Sequence, residues 1–174
     1  DIAASTADGN TFVIQRASGD GFRPVEDPHF DRDRNAWNRA GVPFGGYLIQ
    51  CWPTKRTTAA SPQAQAQAFI DTYGPRRGGE FCPWLDVEFG AVKGRTGSVL
   101  SARQAVEHVE TVYDALVRVY GVVGVYTSNR VWRDDLLGWK SEKLANAPLW
   151  IKTGYFWDRL HPPDTTNFIG YDAK

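Results

Sequence analysis

Apolar and polar positions along the chain follow two alternating periods. Short runs rich in β-branched and aromatic residues, typical of strands, are separated by segments with apolar residues every three or four positions, typical of amphipathic helices. This alternation predicts an α/β fold with mostly parallel strands and right-handed crossovers, in which the sheet is either open or most of a barrel. The predicted strands occupy residues 11–17, 44–52, 82–88, 122–128, 147–154 and 166–172.

The first predicted helix lies within the stretch "DPHFDRDRNAWNRAG". Phe30, Trp37 and Ala40 form its apolar stripe. Gly41 follows the last position of that stripe and supplies the stop signal. We therefore expect an amphipathic helix that ends before Gly41.

Two further helices have clear caps. In the segment "SPQAQAQAFIDTYG", Ser61 is the predicted N-cap and Gly74 the predicted C-cap. The longest periodic segment, "LSARQAVEHVETVYDALVRVYG", begins with Ser101 and Gln104 at the spacing of a capping box. Gly121 ends it, so a helix of about five turns is predicted.

The composition is that of one globular domain spanning residues 1–174. Hydrophobic residues make up 42% of the chain and charged residues 23%, enough to bury one core. Lys plus Arg and Asp plus Glu number 20 each, so no basic surface of the kind that binds nucleic acid is predicted. No apolar run approaches the roughly 20 residues of a membrane-spanning helix. Because the chain begins at Asp1 and contains no Met, we expect it to be processed or cut from a longer protein.

The two cysteines, Cys51 and Cys82, are predicted to be free thiols. Cys51 lies at the exit of one predicted strand and Cys82 at the start of the next, which places them at opposite edges of a parallel sheet. These edges are on the order of 15–20 Å apart for a strand of five or six residues. A disulfide needs Cα atoms within about 7 Å, so the cysteines leave the redox compartment undetermined.

The stretch "FCPWLDVEFG" contains two acids, Asp86 and Glu88, separated by one valine. Side chains at i and i+2 of a strand share a face, with Cα atoms about 6.5–7 Å apart. Leu85 and Val87 take the other face and suit packing against helices, so the acids point inward. Glu88 ends its predicted strand, at the edge where α/β proteins place their chemistry.

Three kinds of chemistry are open to this pair of acids. Mutual repulsion and partial burial raise one pKa, and a protonated Glu beside an ionised Asp is what acid-catalysed glycosidic cleavage requires. A D-x-E pair also binds divalent metal ions, or forms a structural ion pair with a basic residue. Taken alone, the pair favours the structural ion pair over glycosidase chemistry and places metal binding last.

The order of several segments resembles the family 25 glycoside hydrolases, the Chalaropsis-type lysozymes. "FVIQRASGDG" resembles that family's second strand, and "EDPHF" with "NAWNRAGVPFGGYLI" resembles the helix and strand that follow. "QAQAFIDTYG" is similar to its A-Q-A-x-x-F helix and "PWLDVE" to its L-D-x-E catalytic strand. "GVYTSNRVW" and "APLWIKTGY" resemble its I-Y-T-S-x-x-x-W and P-L-W-I-A-x-Y segments. Six motifs in the same order cover nearly the whole chain.

The resemblance implies a modified (β/α) TIM-like barrel that hydrolyses the β-1,4 bond between N-acetylmuramic acid and N-acetylglucosamine in peptidoglycan. It implies that Glu88 is the general acid and that Asp86 assists it or stabilises the positive charge at the anomeric carbon. It also implies that Tyr47, Tyr126 and Trp150 line a sugar groove, although a Tyr or Trp on a strand is more often a core residue. Nothing in the sequence calls for a cofactor or a metal ion.

The sequence departs from the family pattern at several positions. Nothing before Thr11 matches the family's opening D-V-S strand, so the barrel is incomplete unless that strand is supplied from elsewhere. Gly19 stands where the second strand often has a site Glu, with Asp20 as a displaced substitute at best. Arg16, on the same segment, is a further candidate for substrate binding. Lys152 replaces a usually small residue and points inward, where it pairs with one of the acids or binds an acidic part of the wall.

Two functions therefore stay open, with a scaffold domain of a larger particle as a third. One is a muramidase domain of a phage or bacterial wall lysin, secreted or phage-delivered and acting on the cell wall. The other is a binding module that recognises glycan with the same barrel and has weak or no activity. The acid pair favours the enzyme, whereas Gly19, Lys152 and the absent first strand favour the module. The expected partner is peptidoglycan, without nucleic acid or membrane insertion, and a flanking cell-wall-binding domain is compatible with either function.

Overall fold

A computed structural model of the chain describes residues 2–56, 58–88, 98–128, 130–132 and 140–152. Strands and helices alternate through this part, as the sequence predicts. The α-helices are α1 (Ile2–Ala7), α2 (Phe30–Arg39), α3 (Pro62–Tyr73) and α4 (Ala102–Tyr120). The strands are β1 (Val13–Ser18), β2 (Phe44–Ile49), β3 (Trp84–Asp86), β4 (Gly124–Thr127) and β5 (Leu149–Ile151), and a 3-10 turn covers Leu144–Asn146.

The five strands form one parallel sheet in the order of the sequence, β1-β2-β3-β4-β5. Each strand pairs in parallel with the next one along the chain. Sequential order is the winding of a (β/α) barrel, whereas a doubly wound sheet reverses its strand order at a switch point. The predicted α/β class is therefore confirmed, and the described part has the winding of a modified, incomplete (β/α) barrel.

Helix α4 is built as its sequence predicts. The Ser101 side chain accepts a hydrogen bond from the Gln104 N–H, and the Gln104 side chain accepts one from the Ser101 N–H, which completes the capping box. Neither α4 nor any other helix among the described residues is apolar and long enough to cross a membrane. The buried residues of α4 confirm the predicted stripe and are Ala102, Ala105, Val106, Val109, Val112 and Leu116.

The core lies between the helices and one face of the sheet. Leu48, Leu85 and Val125, from the three central strands, are fully buried in the same cluster as the apolar residues of α3 and α4. The predicted caps of α3 are confirmed, because Ser61 Oγ accepts from the Ala64 N–H at 3.2 Å and Gly74 is the C-cap. This packing leaves the opposite face of the sheet for polar and aromatic side chains.

The apolar stripe predicted for α2 is wrong at its last position. Ala40 is exposed at the C-cap, although the helix does end before Gly41 as predicted. The side chain buried instead is Arg34, which is 2% exposed. Arg34 donates to the two carboxylate oxygens of Glu80 at 2.7 and 2.6 Å, so a partner far along the sequence permits its burial.

The strands are shorter than the sequence predicts, and β3 shows this most clearly. The predicted strand 82–88 pairs with its neighbours only over Trp84–Asp86. Pro83 has no backbone N–H for the ladder, and Glu88 lies two residues beyond the strand. Helix α1 is not indicated by the sequence pattern. The predicted last strand, 166–172, lies outside the described residues.

Cys51 and Cys82 are free thiols, as predicted. Cys51 is buried just after β2, and Cys82 is half-buried just before β3. Burial raises the pKa of the Cys51 thiol to about 11. Burial also raises the pKa of Cys82, so both side chains stay protonated thiols at neutral pH.

Candidate active site

Two rows of side chains cross the inner face of the sheet, opposite the helices. Residues in register on parallel strands project from the same face. The row nearer the carboxyl ends of the strands consists of Ile49, Asp86, Tyr126 and Trp150. The second row consists of Arg16, Tyr47, Trp84 and Gly124. The sheet therefore brings five of the eight candidate site residues onto one face.

The inner face is rich in aromatic rings that contact one another. The Trp84 ring lies against Gly124, where an added Cβ would come within 2.4 Å of the indole. Trp150 meets Tyr126 edge-on, with ring centroids 4.9 Å apart, and meets Trp84 at 5.8 Å. Trp150 is 42% exposed. Partly exposed rings with polar edges suit a ligand that has flat apolar faces and hydroxyl groups.

Asp86 is buried in the middle of the sheet, between β2 and β4. It is 6% exposed, and its Oδ1 accepts no hydrogen bond from the described residues. Burial raises the pKa of its carboxyl to about 8, and the charge of Glu88 adds to this rise while Lys152 opposes it. Because burial without a hydrogen-bond donor to Oδ1 is unfavourable for the carboxylate form, this environment favours the protonated form of Asp86.

This finding refines the sequence-based account of the pair. The expectation that burial and repulsion raise one pKa is confirmed by the pKa of Asp86. The sequence interpretation, however, placed the proton on Glu88 and the charge on Asp86. The raised pKa of Asp86 departs from that assignment for Asp86, because the neighbouring strands enclose its carboxyl.

Glu88 lies past the end of β3, closer to solvent than Asp86. Its side chain is 19% exposed, and its Oε1 lies 3.4 Å from the Nζ of Lys152. Lys152 therefore pairs with one of the two acids, which is one of the alternatives that the sequence left open. Its side chain is 34% exposed, so solvent weakens the pair.

The phenols of Tyr126 and Tyr47 stand close to the same carboxyls. Burial raises the pKa of Tyr126 to about 12, and the charges of Glu88 and Asp86 raise it further. Burial and the charge of Asp86 also raise the pKa of Tyr47. Both phenols are therefore neutral hydrogen-bonding groups over the physiological pH range.

Arg16 and Asp20 are occupied by local contacts. Arg16 donates to Asp27 Oδ2 from Nη2 at 2.9 Å and from Nε at 3.2 Å. Asp20 accepts hydrogen bonds from the N–H groups of Phe22 and Arg23 at 2.8 and 2.6 Å. These bonds stabilise the loop after β1. The roles of Arg16 and Asp20 in substrate binding stay predictions.

The departure from the family pattern at Gly19 has a steric cause. Gly19 has φ +85°, and an added Cβ would lie 2.2 Å from the carbonyl oxygen of Ile49. A glutamate at this position would require the backbone of β1 or β2 to move. The fold of this chain therefore provides no room for an acid there.

Two residues of the site are absent from the candidates drawn from the sequence. Trp84 precedes Asp86 by two residues, so the alternation that directs Asp86 inward also directs Trp84 inward. Trp52 donates its indole N–H to the backbone carbonyl of Glu88 at 3.1 Å. No local sequence pattern connects Trp52 with Glu88, so the hydrogen bond between them could be found only in the folded chain.

The groups that this face offers to a ligand are carboxyls, phenols, indoles and the Lys152 ammonium. Among residues 2–56, 58–88, 98–128, 130–132 and 140–152, no group of three or more His, Cys, Asp or Glu side chains could hold a metal ion. The arrangement suits proton transfer to and from an uncharged oxygen beside a ring-binding surface.

Solved structures similar to this chain include fungal muramidases and lysozymes. The muramidase from Trichobolus zukalii has a TM-score of 0.69 and 25% identity, over 87% of this chain and 70% of that chain. The muramidase from Acremonium alcalophilum has a TM-score of 0.71 and 24% identity, over 89% and 74%. A family GH25 lysozyme from Aspergillus fumigatus has a TM-score of 0.69 and 21% identity, over 85% and 68%. No protein-family model and no curated protein matches the sequence.

These similarities define the fold. The chain has the fold of the family 25 glycoside hydrolases, as the order of its sequence motifs predicts. The structural neighbours are glycoside hydrolases named as muramidases or lysozymes. Their similarity extends over more than four fifths of this chain.

Proposed function

We propose that this protein is a muramidase that hydrolyses the β-1,4 bond between N-acetylmuramic acid and N-acetylglucosamine in peptidoglycan. The observation that supports it most directly is the carboxyl pair at the end of β3, in which the buried Asp86, with a raised pKa, lies beside the more exposed Glu88. A surface that only binds glycan needs aromatic rings but gains nothing from a buried acid of raised pKa. The shared fold with muramidases supports the same reaction.

In the proposed mechanism the two carboxyls share one proton at neutral pH. Glu88, the more exposed of the two, presents that proton to the glycosidic oxygen as the bond to the anomeric carbon breaks. Both carboxyls are then ionised, so Asp86 becomes negative as positive charge develops on the sugar. Water adds hydroxide to the anomeric carbon and returns a proton to the pair, which restores the resting state.

The aromatic side chains of the inner face would hold the saccharide in this mechanism. Trp150 offers a partly exposed ring for the apolar face of a sugar. Tyr126 and Tyr47 stay neutral and so can exchange hydrogen bonds with sugar hydroxyls. Arg16 and Asp20, at the β1 side of the face, are further candidates for contacts with the glycan.

The ion pair between Lys152 and Glu88 favours a second candidate function, a glycan-binding module on the same fold. The ammonium of Lys152 lies 3.4 Å from Glu88 Oε1, one of the two oxygens that could pass a proton to the glycosidic oxygen. Proton transfer from this oxygen requires Lys152 to move away. If that transfer does not occur, the aromatic face would bind peptidoglycan without cleaving it.

Either function would place the protein at the bacterial cell wall. A secreted protein would reach the wall from outside, and a phage-delivered protein from either side. A flanking cell-wall-binding domain would raise the local concentration of the site at its substrate. Peptidoglycan is therefore the partner that we propose.

Turbidity of a cell-wall suspension, combined with sedimentation of bound protein, tests the proposal. The wild type and the surface control Glu107→Gln should clear the suspension. Glu88→Gln should clear it at least about 100-fold more slowly, because general acid catalysis typically contributes that much, while still sedimenting with the walls. Clearing at the wild-type rate by Glu88→Gln would show that Glu88 is not the acid. Sedimentation of the wild type without clearing would establish the binding module.

A further inference from the structure

The carbonyl oxygen of Glu88 accepts a hydrogen bond from the side chain of Trp52. In a continuing parallel sheet, a main-chain N–H of the neighbouring strand would donate this bond. The Gln50 N–H donates to the Asp86 carbonyl at 2.9 Å. The parallel ladder repeats every two residues, so its next bond would join the Trp52 N–H to the Glu88 carbonyl. Instead, the Trp52 N–H donates to Gly21 O, and the indole N–H donates to Glu88 O, each at 3.1 Å.

On the side of β4, a side chain also replaces a main-chain donor to the segment of Val87 and Glu88. The Val87 N–H donates to Tyr126 O at 2.8 Å, so the next bond of that ladder would come from the Ser128 N–H. The Thr127 hydroxyl donates to Val87 O at 2.8 Å in that place. Ser128 makes a different contact, because its Oγ accepts from the Val131 N–H at 3.2 Å. On both sides of Val87 and Glu88, a side-chain donor therefore takes the place of the next main-chain donor of the ladder.

Both donors are fixed by their surroundings. Trp52 is 1% exposed and Thr127 is fully buried. The Trp52 ring packs on His108 of α4, with ring centroids 5.6 Å apart. His108 contacts Gln65 of α3 through Nε2 at 3.0 Å, and Gln65 in turn accepts from the Cys51 N–H at 2.9 Å. The position of the indole is therefore set by α3, α4 and the chain leaving β2.

We propose that Trp52 and Thr127 are positioning residues that fix Glu88 above the inner face. The inference rests on the proposed function, because it assigns what holds the proton donor in place. Glu88 is outside the ladder, and these two donors hold the main chain of Val87 and Glu88 from either side. Proton transfer requires donor and acceptor within about 2.6–3.2 Å, and a misplacement of about 1 Å can lower the rate about 100-fold.

Two conservative variants test the inference. Trp52→Phe keeps a ring but removes the N–H, and Thr127→Val keeps the shape but removes the hydroxyl. On soluble glycan fragments of peptidoglycan, each should lower kcat about 10- to 100-fold with KM within about twofold, because the sugar-binding rings are unchanged. Trp37→Phe, on α2, is the control and should keep the wild-type kcat. Variants with the wild-type kcat, or with a change in KM alone, would overturn the inference.

A second readout does not depend on activity. The charge of Glu88 contributes to the raised pKa of Asp86, so releasing Glu88 should lower the titration midpoint of the Asp86 carboxyl in carbon-13 NMR spectra of Trp52→Phe and Thr127→Val. Midpoints equal to that of the wild type would contradict the inference even if no glycan is cleaved. An inactive wild type with shifted midpoints in the variants would overturn the proposed function and support the positioning role.

Discussion

At the scale of single residues, environment separates two acids of nearly equal intrinsic strength. Asp86 lies between two strands without a hydrogen-bond donor to its Oδ1 among the described residues. Glu88, two residues later, faces water and Lys152. Such a difference in surroundings is how proteins assign different roles to paired carboxyls. The sequence could place both acids on one face, but the burial of Asp86 depends on the strands beside it.

Stability should fall as pH rises across the range set by Asp86. Its pKa is about 8 in the folded chain and about 3.9 in an unfolded chain, so between these values the folded state holds a proton that the unfolded state has lost. The free energy of unfolding should therefore fall by up to about 1.4 kcal/mol per pH unit in this range. Asp86→Asn should remove this contribution, and the exposed Asp31→Asn should keep it. Denaturant unfolding at pH 5 and pH 8 measures the difference, and parallel profiles for wild type and Asp86→Asn would contradict the account.

Lys152 should set the alkaline limit of activity. Its charge lowers the pKa of Asp86, so Lys152→Met should raise that pKa and let the pair keep its proton to higher pH. We expect the alkaline limb of the pH–rate profile to move up by about one pH unit. Lys143→Met, which removes an exposed lysine paired with Asp114, is the control. A limb that stays in place or moves down would show that the proton of the pair does not limit the reaction.

At the scale of elements, Gly19 shows how closely β1 and β2 approach. Gly19 and Gly21 have nearly equal φ, +85° and +86°, but only Gly19 has a backbone atom within 2.2 Å of an added Cβ. Alanine costs about 1–2 kcal/mol at either position because of φ. At Gly19 the contact with Ile49 should add about 1–3 kcal/mol. Denaturant unfolding of Gly19→Ala and Gly21→Ala isolates the contact, and equal losses would show that the strands can separate without cost.

The elements that sequence predicts best are those whose signals are local. The capping box at Ser101 and Gln104 and the apolar spacing of α4 lie within one segment, and the structure confirms both. The burial of Arg34 could not be predicted, because it depends on Glu80 from a distant segment. The predicted strand lengths were wrong because the length of a strand also depends on distant segments. The pairing of β3 ends where β2 and β4 stop running beside it.

In the candidate site too, features with a local signal could be predicted and features that depend on distant segments could not. The alternation of side chains along a strand predicted that Asp86 points inward. The same alternation, two residues earlier, predicts that Trp84 points inward as well. The contact between Trp52 and Glu88 forms because the indole that follows β2 reaches the chain that follows β3. The raised pKa of Asp86 depends on its burial between neighbouring strands. Neither has a signature in the sequence.

At the scale of the whole molecule, a buried ion pair links three parts of the helical layer. Arg34 of α2 pairs with Glu80 before β3, and its side chain is 2% exposed. It also donates to the carbonyl oxygens of Tyr73, which ends α3, and Pro75. This network joins α2 to the end of α3 and to the segment that leads into β3.

Removing one partner of that network should be far more costly than removing an exposed pair. Arg34→Met leaves Glu80 buried without its cation, which should lower the free energy of unfolding by about 3–5 kcal/mol. Arg103→Met breaks an exposed pair with Glu107 and should cost about 0.3–0.5 kcal/mol. Denaturant unfolding compares the two, and similar losses would mean that the buried pair does not hold the layer together.

The central claim is that the proton delivered by Glu88 cleaves a specific bond in peptidoglycan. Its most direct test is to digest purified peptidoglycan, reduce the new sugar ends with borohydride and identify them by mass spectrometry. We expect reduced muramic acid ends from the wild type and Glu107→Gln, and at least about 100-fold slower release by Glu88→Gln at equal wall binding. New ends of N-acetylglucosamine, or equal release of muramic acid ends by Glu88→Gln, would contradict it.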